Sequence, residues 1–425
     1  MKILIAFTFL SALAPAQVTV QPADSATLPV NPVVQWNRNL LAVLRTPGAQ
    51  PNNLHPTRSF ALLHAAIYDA VNAIEQTHHA YLVPVPGASR DASPEAAASA
   101  AAYEVLIALY PKFQATLLSE LKQSLALVPE GAAKDDGMRI GVAVADQILA
   151  FRSNDGASTQ PSPVTVASGN VPGGYESTPP NFPKAQFTLW SQVTPFALQQ
   201  ASQFRPGPPP ALTSQAYRAD FNEIQSAGRA HSVTATLDQA LTGRFWNGAI
   251  QNYWNEIAQT AALSNSLTTA QSARLFALLN LTLADGVIAF YDAKYTYNFW
   301  RPVTAIRAAD LDGNPDTVAD PNWLPEVGNT PADPSYPGAH AVISAAAALV
   351  LQSYFGSDQL HFHVTSEVLA GVQRLFDTFS SAADEAALSR IYAGVHFRTD
   401  LTTGQQLGTS VAMWVVDNVL TPVIP

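Results

Sequence analysis

Along "TRSFALLHAAIYDAVNAI" (57–74) apolar residues recur every three or four positions, the spacing of a helix face packed on a core. "SPEAAASAAAYEVLIALYP" (93–111) carries its own punctuation. Ser93 is an N-cap, Pro94 stands at the first helical position, Glu95 sits beside the positive dipole end and Pro111 stops the run. Similar patterns predict helices over 115–127, 133–151, 214–227, 236–241 and 254–263, and a long one from Thr269 to about Trp300. "AVISAAAALVLQSYF" (341–355) and 402–419 complete the set. Sustained alternation of the β type is scarce and no repeat period is visible. From about Gly156 to Thr213 the helices stop in a stretch rich in Pro, Gly and Ser. Buried-type aromatics in "FTLWSQVTPFAL" (187–198) predict an ordered excursion over the core rather than a loose linker. The expected fold is all-α, a single compact helical bundle.

Composition narrows the function classes. Of 425 residues, 48% are hydrophobic and only 13% charged, which suits a large core, and the net charge of -10 argues against a nucleic-acid partner. Any anion site must then be a local basic pocket. With no cysteine, a lipoprotein anchor, a disulfide scaffold and a thiolate metal site are excluded. The N-terminus "MKILIAFTFLSALAPAQ" has one Lys, a short apolar run and a small-residue "APA", the layout of a secretory signal peptide cleaved after Ala16. Its apolar run falls well short of the roughly 20 residues a membrane span needs. The expected organisation is a signal peptide over 1–16, a proline-containing lead over 17–55, and one helical domain over 56–425 with its chemistry in about 269–419. A secreted or periplasmic location follows, with no stable membrane anchor.

Three short motifs carry candidate chemistry. In "DAKYTYNFWRP", Lys294 and Arg301 are seven residues apart, so a continuous helix would point both to one side. Tyr291, Tyr295, Phe299 and Trp300 surround them, unlike an ordinary solvated face, although surface charge remains the alternative. In "PSYPGAHA" (334–341) a turn feeds an alanine-rich helix, so Gly338, Ala339 and His340 lie at its N-terminus, where free N–H groups suit an anion. A helix cap with His340 as bystander is the other reading. In "SRIYAGVHFRTD" (389–400), Arg390 ends one helical pattern, Gly394 makes a turn and His396 begins the next. Asp400, four residues on, can take one ring N–H of His396 and leave the other nitrogen as ligand or nucleophile. An ordinary helical pair would have the same spacing. Arg398 reads as an outward ion-pairing group, and His361 and His363 as a surface pair.

The order of these motifs resembles the superfamily that unites vanadium-dependent haloperoxidases with type 2 phosphatidic-acid and bacterial acid phosphatases. Its signature is Lys-x6-Arg-Pro, then Pro-Ser-x-x-x-Gly-His, then Ser-Arg-x5-His. The match is nearest the haloperoxidase branch, whose second motif is Pro-Ser-Tyr-Pro-Ser-Gly-His-Ala. The resemblance implies that Lys294, Arg301 and Arg390 neutralise the oxyanion's equatorial oxygens, with Gly338 and Ala339 at the anion-binding turn. His396 would bind vanadium or attack phosphorus, His340 would be the acid–base group at the opposite apex, and vanadate (or phosphate) the bound anion. Implied partners are hydrogen peroxide, a halide and a small organic substrate, or a phosphate ester; a homodimer is compatible with this reading. An acid phosphatase working through a phosphohistidine, or a non-catalytic oxyanion-binding relative, are the alternatives. The chain departs from the pattern where Gly338 replaces the oxyanion-contacting Ser and Ala339 the following Gly. Asn247 stands in "RFWNGAIQNYW" where the family has an Asp, and Asp333 stands where haloperoxidases place Phe or His.

Overall fold

The computed structural model describes residues 31–162 and 171–423, so the expected signal peptide lies outside the described residues. Helix α1 (Pro32–Leu44) falls inside the stretch expected to be a lead: Asn31 caps it by accepting from the amides of Val33 and Val34, and Pro32 opens its first turn. Trp36, Asn37 and Leu40 on α1 are fully buried, so this part of the lead belongs to the core. Then come α2 (Pro56–Glu75), α3 (Pro94–Leu109), α4 (Gln114–Ala126) and α5 (Ala132–Phe151). Ser93 caps α3 as its sequence requires.

The excursion packs inward. Trp190, Val193, Phe196 and Leu198 are buried, and the amides of Phe196, Ala197 and Leu198 all donate to the carboxylate of Asp285 at 2.6–2.7 Å. Helices α6 (Gln215–Ala227), α7 (Leu237–Phe245) and α8 (Ile250–Ser264) lead to α9 (Thr269–Tyr297), the longest. Thr268 and Gln271 form a capping box at its start. Its end comes earlier than the pattern predicts, because Asn298 turns left-handed at φ 49°. By length and composition α9 could cross a membrane, yet 94% of its apolar window is buried inside the fold.

After α10 (Pro302–Arg307) come α11 (Ala339–Phe355), an antiparallel hairpin of β1 (Gln359–Thr365) and β2 (Gln373–Thr378), α12 (Phe379–Tyr392) and α13 (Arg398–Asn418). The hairpin is the departure from an all-helical reading. Phe362 and Phe376 face each other across it and are buried, whereas His361 and His363 point outward and His361 pairs with Asp377 at 2.7 Å. Helix α11 packs on α9, α12 and α13, and α2 on α3, α5 and α9.

Two halves of the chain use one device that the sequence pattern hides. Trp36–Asn37 and Trp254–Asn255 are 218 residues apart (254 − 36), and the pairs His64/Asn280 and Asp69/Asp285 are each 216 apart (280 − 64, 285 − 69). Asn37 donates to Asn255 at 2.7 Å and lies 2.8 Å from His64; Asn255 in turn bonds Asn280 at 3.0 Å. Asp69, like Asp285, accepts three successive backbone amides, those of Tyr81, Leu82 and Val83. Burial pushes both carboxyls up to about 6, against the pull of those amides.

Candidate active site

Four loop ends bring the motif residues together. Lys294 lies in the last turn of α9, but Arg301 does not share that helix; it is the N-cap of α10, beyond the Asn298 turn. The expected common helix face is therefore replaced by a bend, and the two cations meet at Asp333 instead. The Lys294 ammonium is 3.2 Å from Asp333 Oδ1, and Arg301 Nη2 donates to the same oxygen. Both cations are within 1% of full burial. Lys294 also donates to the carbonyls of Pro334 and Ser335. Burial lowers its pKa to about 8 despite Asp333. For Asp333, burial pushes the carboxyl up, but Lys294 and Arg301 outweigh it and hold it below the usual value.

His396 and Arg390 come from the link between α12 and α13. Gly394 sits there at φ +81°, and a Cβ on it would collide with the Gly228 carbonyl, so only glycine fits this turn. His396 Nδ1 lies 3.0 Å from Asp400 Oδ2, which also accepts from the Phe397 amide at 3.0 Å and the Ser335 hydroxyl at 2.6 Å. A carboxylate acceptor puts the ring proton on Nδ1 and leaves the lone pair on Nε2, 3.0 Å from Arg301 Nη1. Burial, then the positive charges of Arg301, Lys294 and Arg390, hold the ring well below its ordinary pKa, so it is neutral. Asp400 is itself pushed up to about 6 by burial. Arg398 reaches outward to Glu223, as its position suggests.

Arg390 is the unusual member. It is 1% exposed, its Nη1 and Nη2 both donate to the amide oxygen of Asn247 at 3.2 Å, and its Nε has no partner. Among the described residues it makes no ion pair with a carboxylate. Burial, then Arg301, bring its pKa down to about 9.

Helix α11 begins at Ala339 with Gly338 as N-cap and no side-chain cap. Gly338 has φ -74°, so the absent side chain is not explained by backbone strain. Its own N–H donates to the Asp400 carbonyl at 2.9 Å, leaving the following amides to face the site. His340 is only partly buried, and its Nε2 is 2.9 Å from the Trp246 carbonyl, which can only accept; the lone pair is thus on Nδ1. Burial, then Arg390, keep this ring neutral, with the Trp246 and Gly248 carbonyls opposing. With Asn247 where the family has an Asp, the support seen for this ring is a main-chain carbonyl.

The sequence reading missed the work of Ser335, Trp246 and Tyr291, and took Asp333 only as a departure. Tyr291 donates its hydroxyl towards Asp333 Oδ2 at 3.4 Å. Asp333's position one residue before the Pro-Ser motif was the available signal.

An uncompensated buried guanidinium, a buried Lys/Arg pair, an uncapped helix start and two neutral histidines make this cluster of a helical protein a candidate oxyanion site. Such a donor set fits a tetrahedral or trigonal-bipyramidal oxyanion such as vanadate, through Arg390, Lys294, Arg301 and His396 Nε2. Comparisons with known proteins agree. The family model for the VCPO second helical-bundle domain matches residues 274–423. Vanadium chloroperoxidase of Curvularia inaequalis is 24% identical over 476 aligned positions, spanning 85% of this chain and 77% of that protein. The crystal structure of a bacterial vanadium-dependent iodoperoxidase superposes with TM-score 0.77 at 26% identity, covering 93% of this chain and 99% of that one. A bacterial vanadium-dependent chloroperoxidase shares the fold at 17% identity, with TM-score 0.66 over 89% of this chain and 96% of its own. These matches support a relationship to the vanadium haloperoxidase family.

Proposed function

We propose that the protein is an exported vanadate-dependent peroxidase that oxidises halide with hydrogen peroxide, passing the oxidised halogen to a small organic substrate. The observation that carries the reading is Arg390, a buried cation held only by a neutral amide beside a neutral histidine with an unprotonated Nε2. A buried cation of this kind is costly without an anion. When bound, vanadate supplies a Lewis acid that activates peroxide without changing its own oxidation state.

The remaining work falls to the chain. Arg390, Lys294 and Arg301 would hold the equatorial oxygens, and His396 Nε2 would be the ligand atom. Asp400, braced by Ser335 and the Phe397 amide, fixes the tautomer that keeps the lone pair on Nε2, where an anion would take the place of the Arg301 N–H that Nε2 now accepts. His340, the most accessible of the charged and titratable groups, would accept and return a proton at Nδ1, held in place by Trp246. Export rests on the signal-peptide layout of the first 16 residues.

The test is peroxide-dependent halogenation by protein stripped of anion and then reloaded with vanadate, run beside hydrolysis of a phosphate monoester. Vanadate-dependent halogenation is expected. Ester hydrolysis inhibited by vanadate, with no halogenation, would replace the peroxidase by a phosphohistidine enzyme. Mature secreted protein should begin at Gln17.

A further inference from the structure

We propose that Asp333 is a built-in counter-ion which occupies the inner half of the oxyanion seat, so that an incoming anion must exchange against the protein's own carboxylate. This rests on the oxyanion reading above and adds to it the residue that sets affinity.

A lysine ammonium has three N–H groups and an arginine guanidinium five. All three of Lys294 are used, on the carbonyls of Pro334 and Ser335 and on Asp333 Oδ1. Arg301 uses four of five: Nε on the Asp333 carbonyl, Nη1 on the Val395 carbonyl and His396 Nε2, and Nη2 on Asp333 Oδ1. One N–H of the inner pair is left for an anion. Arg390, by contrast, commits only its two bonds to Asn247 and keeps three N–H groups.

Asp333 is the only anionic group in the first of these sets, and it is 9% exposed. Its Oδ1 is shared by both cations, as an oxygen of a bound anion would be. Removing its charge loosens its hold on one donor of Lys294 and one of Arg301, so that an anion displaces it more readily, and restores a unit of positive charge to the seat. The carbonyl bonds of both cations survive, so the pair stays in place. The protein is thereby stabilised without an anion, at the expense of affinity for one.

The experiment compares wild type with Asp333→Asn, which keeps the shape and loses the charge, and with the smaller neutral Asp333→Ser. Vanadate binding to the full chain is measured by calorimetry, and melting temperature with and without saturating vanadate. Both variants are expected to bind vanadate about ten-fold or more tightly than wild type. They should melt lower without vanadate and gain more on its addition. A purely structural Asp333 would lower the melting temperature at every vanadate concentration and tighten nothing. Equal or weaker affinity in either folded variant, with wild type binding, overturns this inference alone. Failure of wild type and both variants to bind vanadate or phosphate overturns the oxyanion reading and this inference with it.

Discussion

Arg390 and Asn247 form a pair in which a fully buried guanidinium ends on a neutral amide: both Nη groups reach the same Oδ1 at 3.2 Å. Arg301, whose charge acts on Arg390, is balanced by Asp333, but Arg390 has no carboxylate partner among the described residues. Arg390→Met keeps most of the side-chain volume and removes the charge. Vanadate affinity should fall about 10- to 100-fold, the worth of roughly 1.5–3 kcal/mol for a hydrogen bond to a charged group. The anion-free protein should melt no lower than wild type, because an uncompensated buried cation has been removed. Calorimetry and thermal melts read the two effects separately.

The two histidines are tied to different partners, and their substitutions should separate. His396→Ala removes the atom with the inward lone pair and should abolish vanadate-dependent turnover together with tight binding. His340→Ala should leave binding largely intact and lower turnover about 10²–10⁴-fold, as for a lost acid–base group. Asp400→Asn should cost less in turnover but also reduce stability by about 1 kcal/mol, because that carboxylate caps the start of α13 through the Phe397 amide. Equal vanadate affinity in wild type and His396→Ala would remove His396 from its assigned place.

The motifs made the site legible because each lies at an element boundary where the chain leaves few options. Pro302 opens α10, Pro337 stands just before α11 and Gly394 turns the link between α12 and α13, and these breaks point the cations and His396 inward. The fold class followed from the same helical spacing. What the pattern could not show depends on contacts between distant segments. Asp333 reads as an obstacle in one dimension and as the partner of Lys294 and Arg301 in three. Trp246 supports His340 through a backbone carbonyl, which no side-chain motif encodes. Helix α1 was hidden by its surrounding prolines, and the Trp–Asn repeat by a spacing of more than 200 residues. The hairpin's apolar positions are too few to announce a sheet.

Acidification should destabilise the fold through its buried histidines, and the sign follows from which state binds more protons. Burial holds His55 and His64 at about 3, and His340 and His396 well below their ordinary value. A depressed pKa of this kind gives stability that is present above about 6.5 and lost as pH falls towards the folded value. Asp69, Asp285 and Asp400, raised to about 6, act oppositely: their contribution is present below the ordinary carboxyl pKa and lost as pH rises through 6. From pH 7 to 5 the histidines lower the melting temperature while the raised carboxyls, Asp220 among them, oppose the fall, so the histidine share is read from a variant's change in slope. His64 is the cleanest probe, since its Nε2 is held by Asn37 and its Nδ1 is buried without a partner. His64→Asn copies Asn280 of the other half and should flatten the slope by one proton, about 1.4 kcal/mol per pH unit. An unchanged slope would mean that His64 does not refuse a proton.

Gly338 offers the sharpest test of where the anion lies. Its φ of -74° and ψ of 116° are open to any residue, so Gly338→Ser carries no backbone strain. A Cβ there meets Leu401 Cδ2 at 3.2 Å, which the leucine methyl can relieve by a small shift, and the Asp400 carbonyl oxygen at 3.3 Å, which the backbone must yield by a few tenths of an ångström. The new hydroxyl stands at the N-cap of α11, a helix without a side-chain cap, where serine is favoured over glycine by a few tenths of a kcal/mol. From that position it can also donate to an oxyanion held against the first amides of the helix. Vanadate affinity should rise about ten-fold. Gly338→Ala supplies the control, with the same Cβ contacts and no donor, and should bind no better than wild type. Titrating vanadate against the three proteins separates packing from hydrogen bonding. A serine variant that melts higher but binds vanadate unchanged would have spent its hydroxyl on the helix alone, and the anion would not lie at the start of α11.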